Sequence, residues 1–396
     1  MSDPSLVLRE PDQVVSLSAT GWLWDEHAVD HQTTPGFVEA LADLGVTLIV
    51  SREYEHFVMA LSADERGLAV SVARLPHPSG IVVDRALHQV HIACTRNPNQ
   101  VITYGVSRGC IERDDLSSPL SSPPALVPIS TRFLPGSMYL HDLAFVDGRL
   151  VGNAVGMNAI VDLGQAGPDL VWWPSSIEDD GIARHGRNLL QLNSIAAGPT
   201  LAESYFTAST EAPGPRVPGD PLWEVDRNGV IFRGDQTVVA RGLTRPHSAR
   251  LAGDGSLWVD DSGYGRLCRV DDTGLDTVAA FDGWTRGLCM IGDMAIVGTS
   301  RVLPRFRAYA PGLDAAQSRC GLHVVDLRTG TVVGSSWFPN GDQIFAIDWL
   351  PSSITRDFVG GATRPDPETT TAAWYSYRPP ETPMNPPHTH QRETPR

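Results

Sequence analysis

Thr244-Arg245-Pro246-His247-Ser248-Ala249-Arg250-Leu251 is followed by Gly253-Asp254-Gly255, by Leu257-Trp258-Val259-Asp260 and by the loop Asp261-Ser262-Gly263-Tyr264-Gly265. The stretch reads as a polar residue at the mouth of a short strand, a tight turn, a second strand and a polar loop. The same order recurs along the chain. Strand openings of this kind are His77-Pro78-Ser79-Gly80-Ile81, His141-Asp142-Leu143-Ala144-Phe145, Asn193-Ser194-Ile195-Ala196, His247-Ser248-Ala249-Arg250, Arg286-Gly287-Leu288-Cys289 and Phe345-Ala346-Ile347-Asp348. Each puts a polar or large residue ahead of small and apolar ones, as crowded innermost strands of a radial β architecture require. Periodicity of this length outranks any local motif in deciding a fold.

Second strands ending in polar atoms follow five of the openings, at Cys94-Thr95-Arg96-Asn97, Gly152-Asn153, Thr207-Ala208-Ser209-Thr210, Asp260-Asp261-Ser262 and Gly298-Thr299-Ser300-Arg301. Val46-Thr47-Leu48-Ile49-Val50-Ser51-Arg52 is a second-type strand with no partner before it, and Asp342-Gln343-Ile344-Phe345-Ala346-Ile347 is a first-type strand with too little after it. Pairing the two closes a ring and removes open sheet edges. The expected fold is all-β, a six-bladed β-propeller closed by N-terminal and C-terminal strands. Residues 1–45 form an extension in which Thr34-Pro35-Gly36 and Phe37, Val38, Leu41 and Leu44 spell a short helix ended by Gly45. The propeller is expected over 46–355 and a Pro/Thr-rich, disordered tail over 356–396, with Leu116 to Val127 as a loop insertion.

A formal charge of −15 without Lys or Arg clusters argues against nucleic acid and against an anionic membrane as partners. No apolar run suits a signal or a membrane span, so a soluble, cytoplasmic protein is expected. The five cysteines, Cys94, Cys110, Cys268, Cys289 and Cys320, lack CxxC spacing and read as buried free thiols. No phosphate loop or dinucleotide fingerprint is present, and neither Ser79 nor Ser248 sits in a nucleophile elbow.

Chemistry is expected where the strand openings converge on the axis. His77, His141 and His247 are three imidazoles suited to Zn, Fe, Cu or Mn with a position left for water or substrate. Pro76-His77-Pro78 sets His77 one residue out of register, so a metal-free pocket and purely structural histidines stand beside the metal site. Asn193 and Arg286 complete the openings. Arg52, Glu53, Arg96, Asn153, Asp261, Tyr264 and Arg301 follow second-type strands on the same face. The arginines suit an anionic or zwitterionic small molecule. Glu53, Asp261 and Tyr264 are the candidates for acid–base work.

Several long phrases also carry a family resemblance: Pro76-His77-Pro78-Ser79-Gly80, Thr95-Arg96-Asn97-Pro98-Asn99-Gln100-Val101, Leu134-Pro135-Gly136-Ser137-Met138-Tyr139-Leu140-His141-Asp142, Asn193-Ser194-Ile195, Arg241-Gly242-Leu243, Pro246-His247-Ser248-Ala249-Arg250, Gly298-Thr299-Ser300-Arg301 and Phe338-Pro339-Asn340-Gly341-Asp342-Gln343-Ile344. Together they resemble an uncharacterised bacterial family of propeller-like proteins, over residues 45 to 350. The resemblance implies the propeller and no reaction.

The residues alone lead to a metal-dependent enzyme acting on a small polar, amino-acid-like or peptide substrate, by lyase, hydrolase or oxygenase chemistry. Two alternatives stay open. One is a non-catalytic propeller that binds a ligand or a protein on the same face. The other is a calcium-dependent lactonase-like hydrolase, although the openings are poor in the carboxylates that calcium prefers.

Overall fold

Val46–Arg52 pairs antiparallel with Ala346–Pro351 in an unbroken register from Val46↔Pro351 to Ser51↔Ala346, so the two ends of the chain share one sheet. This is a computed structural model, and it describes residues 26–359 apart from 97–98, 108–123, 137, 165–166 and 273. Blade 1 is Ala346–Pro351, Val46–Arg52, Phe57–Asp64 and Gly67–Arg74, from the axis outward. Blade 2 runs Pro78–Asp84, Gln89–Cys94, Asn99–Ser107 and Ala125–Leu134, and blade 3 runs Leu140–Val146, Arg149–Ala154, Ala159–Asp162 and Asp169–Trp172. Blade 4 is Leu192–Ala196, Tyr205–Ala208, Gly229–Arg233 and Val238–Leu243, and blade 5 is Pro246–Leu251, Leu257–Asp261, Arg266–Asp271 and Gly274–Ala280. Blade 6 is Trp284–Ile291, Met294–Ser300, Gly321–Asp326 and Thr331–Trp337. Inner strands touch in ring order, and that of blade 6 returns to that of blade 1. The six-bladed propeller is thereby closed.

Small residues do the work expected of them near the axis. A Cβ on Gly80 would stand 2.6 Å from Asp142 Cα in the next blade, so only glycine lets these inner strands approach. Register shifts interrupt the inner strands of blades 2 to 6, between Pro78 and Ile81, between His247 and Arg250 and between Thr285 and Leu288 among others. Such bulges bend a strand and re-aim its side chains. Apolar cores lie between blades. One holds Leu48, Phe57, Met59, Ile296, Leu322 and Phe338, and another holds Ile195, Phe206, Phe232 and Trp172.

Helix α1, Pro35–Leu44, ends at Gly45 in the left-handed region (φ 62°), as the sequence predicts. It lies on the side of the ring, with Phe37 and Leu41 in the core between blades 6 and 1. Just before it, Gln32 and Thr33 pair with Trp337 and Ser336 and cover the outer edge of blade 6. The insertion expected to be loop as far as Val127 instead becomes strand from Ala125, and Leu126 binds back to Asp357 and Val359. The remainder of the tail, with His388 and His390, and Cys110 lie outside the described residues. Cys94, Cys268, Cys289 and Cys320 are free and buried. Burial pushes the thiols of Cys94, Cys268 and Cys320 up to about 12 and that of Cys289 higher still, which keeps them unreactive. No helix among the described residues is long and apolar enough to cross a membrane.

Candidate functional site

The residue just before the inner strand is left-handed in four blades: His77 (φ 46°), Tyr139 (50°), Gln191 (53°) and Arg245 (53°). Non-glycine residues seldom adopt this region, and such strain collects at functional sites. Strand register makes Pro78, Leu140, Leu192 and Pro246 equivalent, because they pair with Cys94, Ala154, Ala208 and Asp261 at the ends of the second strands. His141, Asn193 and His247 therefore stand one step inside the channel. His77 stands one step outside, in the place Arg245 takes in blade 5. Ser79 fills the inner place in blade 2, where its hydroxyl contacts the carbonyls of Leu140 (2.6 Å) and Ala93 (3.1 Å).

Tyr139, Gln191 and Arg245 reach the wall of a cavity of about 310 Å³ at this mouth of the channel. Glu53, Arg96, His141 and Arg286 share that wall, and Trp223, Arg305, Phe306 and Tyr309 come in from long loops. A compartment of about 50 Å³ adjoins it, with His247, Trp284 and Arg301 on its side. Tyr54, Arg245, Arg286 and Phe306 line both, so they form the neck between the two.

Three arginines of this mouth are held by rings rather than by acids. Arg245 lies over Tyr309 (4.9 Å) and Trp223 (5.6 Å), Arg286 over Phe345 (3.2 Å), and Arg305 over Tyr54 (4.7 Å) and Phe306 (4.8 Å). Among the described residues none of the three has a carboxylate within ion-pair distance. Among the described residues Arg245 makes one side-chain hydrogen bond, to Ser209 Oγ (3.3 Å), and its Nε has no partner. Burial, with repulsion from Arg286, pulls Arg245 down to about 10. Burial likewise pulls Arg286 to about 10, against the attraction of Glu53 and Tyr54. Stacking fixes a guanidinium without using its N–H donors, which leaves a fork free for a ligand. The chain contains no lysine, so every fixed side-chain cation is of this planar kind.

Among the described residues Glu53 is the single carboxylate on the wall of the larger cavity. It accepts a hydrogen bond from Arg96 Nε (3.2 Å), and His77 Nδ1 is 3.7 Å away. Burial alone would raise its pKa, but His77, Arg286 and Arg96 outweigh it and the net direction is down. His141 is driven the other way, to about 3, by burial and the charge of Arg286. Burial, Arg286 and Arg245 hold His247 well below its ordinary range. His247 Nδ1 is 2.8 Å from the Arg245 carbonyl, which can only accept, so Nδ1 carries the proton and Nε2 keeps a lone pair. Ser262 Oγ holds the same Nδ1 at 2.9 Å.

Among the described residues no three His, Cys, Asp or Glu side chains gather in a group that could hold a metal ion. The three expected imidazoles face different surroundings. His77 packs edge-on against His56 (ring centroids 4.2 Å) beside Glu53, His141 lines the larger compartment, and His247 lines the smaller. Glu53, Arg96, His141 and Arg286 are brought together at the mouth, and His247 and Arg301 adjoin them through the neck. Arg301 is half occupied by Asp342, 3.7 Å away.

The other expected residues line neither compartment. Arg52 is fully buried between Phe57 and Phe338 and reaches Ala28 O and Glu55, tying the N-terminal segment to blade 1. Asn193 Nδ2 bridges to the Pro246 carbonyl (3.0 Å) in the next blade. Asn153 is buried on a second strand, and among the described residues neither amide atom has a partner. Asp261 takes the backbone N–H of Thr244 (2.7 Å) and so anchors the turn that presents Arg245. Tyr264 Oη donates to Asp226 (3.1 Å), and its ring carries Arg227 and Arg266.

The family model for a domain of unknown function, DUF4915, matches residues 35–357, from the start of α1 to the end of the propeller. The chain belongs to this family. No curated protein sequence matches this DUF4915 chain. Among solved structures it is similar to a chain of a nidogen/laminin complex, at 10% identity and a TM-score of 0.46, over 77% of this chain and 98% of that one. A putative 6-phosphogluconolactonase from Bacteroides uniformis is similar at 12% identity and 0.45, over 77% and 99%. Virginiamycin B lyase from Staphylococcus aureus is similar at 9% identity and 0.38, over 78% and 98%. Likeness of this degree says nothing about chemistry.

Sequence reasoning passed over Arg245, Tyr54, Trp223, Tyr139 and Gln191 in this DUF4915 protein. A signal for Arg245 exists. Arg245-Pro246 repeats the His77-Pro78 pattern, and a residue before proline at a strand mouth is a fair candidate for an unusual backbone. Arg305, Phe306 and Tyr309 belong to a long basic and aromatic loop, a place where binding edges are often found.

Proposed function

We propose that this DUF4915 propeller captures a small organic anion at the mouth of its channel. The observation that carries this is the set Arg245, Arg286 and Arg305, stacked on aromatic faces and without a carboxylate partner among the described residues. Arg245 and Arg286 are partly buried and Arg305 is exposed beside them; partly buried cations without a paired carboxylate are costly to keep, and a bound anion would supply what the protein withholds. A cavity of about 310 Å³ is at the low end of ligand sites, which suits a metabolite rather than a polymer. The net charge of −15 makes the cationic mouth a local feature, so electrostatic steering would act at short range.

A second reading, an enzyme, is favoured by His247. A neutral imidazole with a fixed tautomer beside Arg286 has the parts for proton abstraction next to a developing negative charge. Calorimetric titration with inorganic phosphate and with succinate at pH 7 tests the first reading. Dissociation constants below about 1 mM, lost on Arg245→Gln and Arg286→Gln, are expected; no heat with either anion would refute it. Metal analysis of protein purified without a histidine tag separates the metal-dependent enzyme: near-stoichiometric transition metal, lost on His141→Ala or His247→Ala, is what that form of the reading requires.

A further inference from the structure

We infer that the ligand carries two separate anionic groups, one seated in the neck between Arg245 and Arg286 and the other at the outer rim against Arg305. This rests on the anion-binding reading above and narrows it to a substrate class. Charge is the first argument. Glu53 is paired with Arg96 and acts on Arg286 only from beyond ion-pair distance, so among the described residues Arg245, Arg286 and Arg305 share one cavity without a paired carboxylate. A monoanion seated in the neck would meet Arg245 and Arg286 and leave Arg305, on the larger cavity alone, without an anion.

Placement is the second argument. Arg245 and Arg286 line both compartments, whereas Arg305 lines only the larger. The inner space of about 50 Å³ has room for one small group, since a single water needs about 10–15 Å³ of such space. His141 and His247, held neutral beside this neck, offer an acceptor or a donor without adding charge. The body of the ligand then lies in the larger cavity among Tyr139, Trp223 and Phe306.

Calorimetry on the full chain at pH 7 and fixed ionic strength decides the matter. Malonate, succinate, glutarate and adipate are titrated beside butyrate and inorganic phosphate. The best dicarboxylate is expected to bind at least tenfold tighter than butyrate. Arg305→Gln should remove that advantage and leave butyrate unchanged, while Arg307→Gln, an exposed neighbour outside both compartments, should change neither. Equal binding of butyrate and every dicarboxylate overturns the two-group inference and leaves the anion site standing. Phosphate binding as tightly as the best dicarboxylate also overturns it, because both charges then sit on one group. Binding of none of the probes removes the anion site as well.

Discussion

Two inner-strand arginines of this propeller should respond to the same substitution with opposite sign. Arg250 is bonded to Asp142 through Nη1 (2.8 Å) and Nη2 (3.1 Å), and its Nη1 also reaches the carbonyls of Ala249 (2.8 Å) and Ile195 (3.1 Å). Among the described residues Arg286 has no such set: it lies on the face of Phe345, with Glu53 acting from beyond ion-pair distance. Its fall from 12.5 to about 10 corresponds to roughly 3 kcal/mol at about 1.4 kcal/mol per unit. Water in the cavity screens part of that, and the ring returns about 0.5–2 kcal/mol, so the net cost of the charge is on the order of 1 kcal/mol. Because the folded value is the lower one, this cost is fully present at neutral pH. It is relieved only as pH rises through about 10. Arg286→Met is therefore expected to leave the free protein as stable as before, or about 1 kcal/mol more stable, while abolishing anion binding. Arg250→Met strands a buried carboxylate and should cost about 3–5 kcal/mol. Urea midpoints at pH 7, with unchanged m, measure both. A loss in Arg286→Met as large as that in Arg250→Met would mean that Arg286 is well compensated within the protein, and the reasoning about free cations would fail.

Acid sensitivity should trace to neutral histidines. His141 and His323 are held to about 3 and about 4, so each takes up its proton on unfolding, and stability falls as pH drops below about 6.5 by about 1.4 kcal/mol per pH unit for each. His141→Gln should give a visibly shallower slope between pH 6 and 4 in urea unfolding, and an unchanged slope would refute its neutrality. Asp260 behaves in the opposite sense. Burial drives its pKa well up, against the nearby Ser248 hydroxyl and Arg250, so stability present below about 3.9 is lost as pH rises. Asp260→Asn should stabilise the protein at pH 7 and not at acid pH, and equal effects at both would count against a protonated carboxyl. Gly263→Ala drives a methyl into the Thr244 side chain and to 2.9 Å from the Tyr309 carbonyl, so the segment Pro304–Tyr309 must shift. Weakened anion binding by calorimetry is expected, and wild-type affinity would remove this segment from the site.

The propeller was legible in the chain because its cause is local and repeated. Backbones that converge on an axis demand small residues after each strand mouth, and the unpartnered strands at the two ends of the pattern had only each other to pair with. The last strand of blade 2 was not legible. Ala125 to Leu134 follows a Pro- and Ser-rich run and contains Pro128, which an edge strand tolerates where the register shifts between Thr103 and Tyr104.

The site was legible by address and not by role. Sequence alone determined that polar side chains from distant segments meet at one end of the channel, and it singled out Glu53, Arg96, His141, His247 and Arg286 as members. Which residue stands inside and which outside was a matter for tertiary structure. A left-handed residue or a bulge at the mouth turns a side chain through a large angle, and the adjoining blades hold it there. That separates His77 from His247 although both neighbour a proline, and it sends Arg245 into the cavity unannounced. Whether an arginine is paired is likewise a fact of three dimensions. Arg250 and Arg286 occupy similar phrases in the chain, yet only one finds a carboxylate, because Asp142 approaches from a blade more than a hundred residues away.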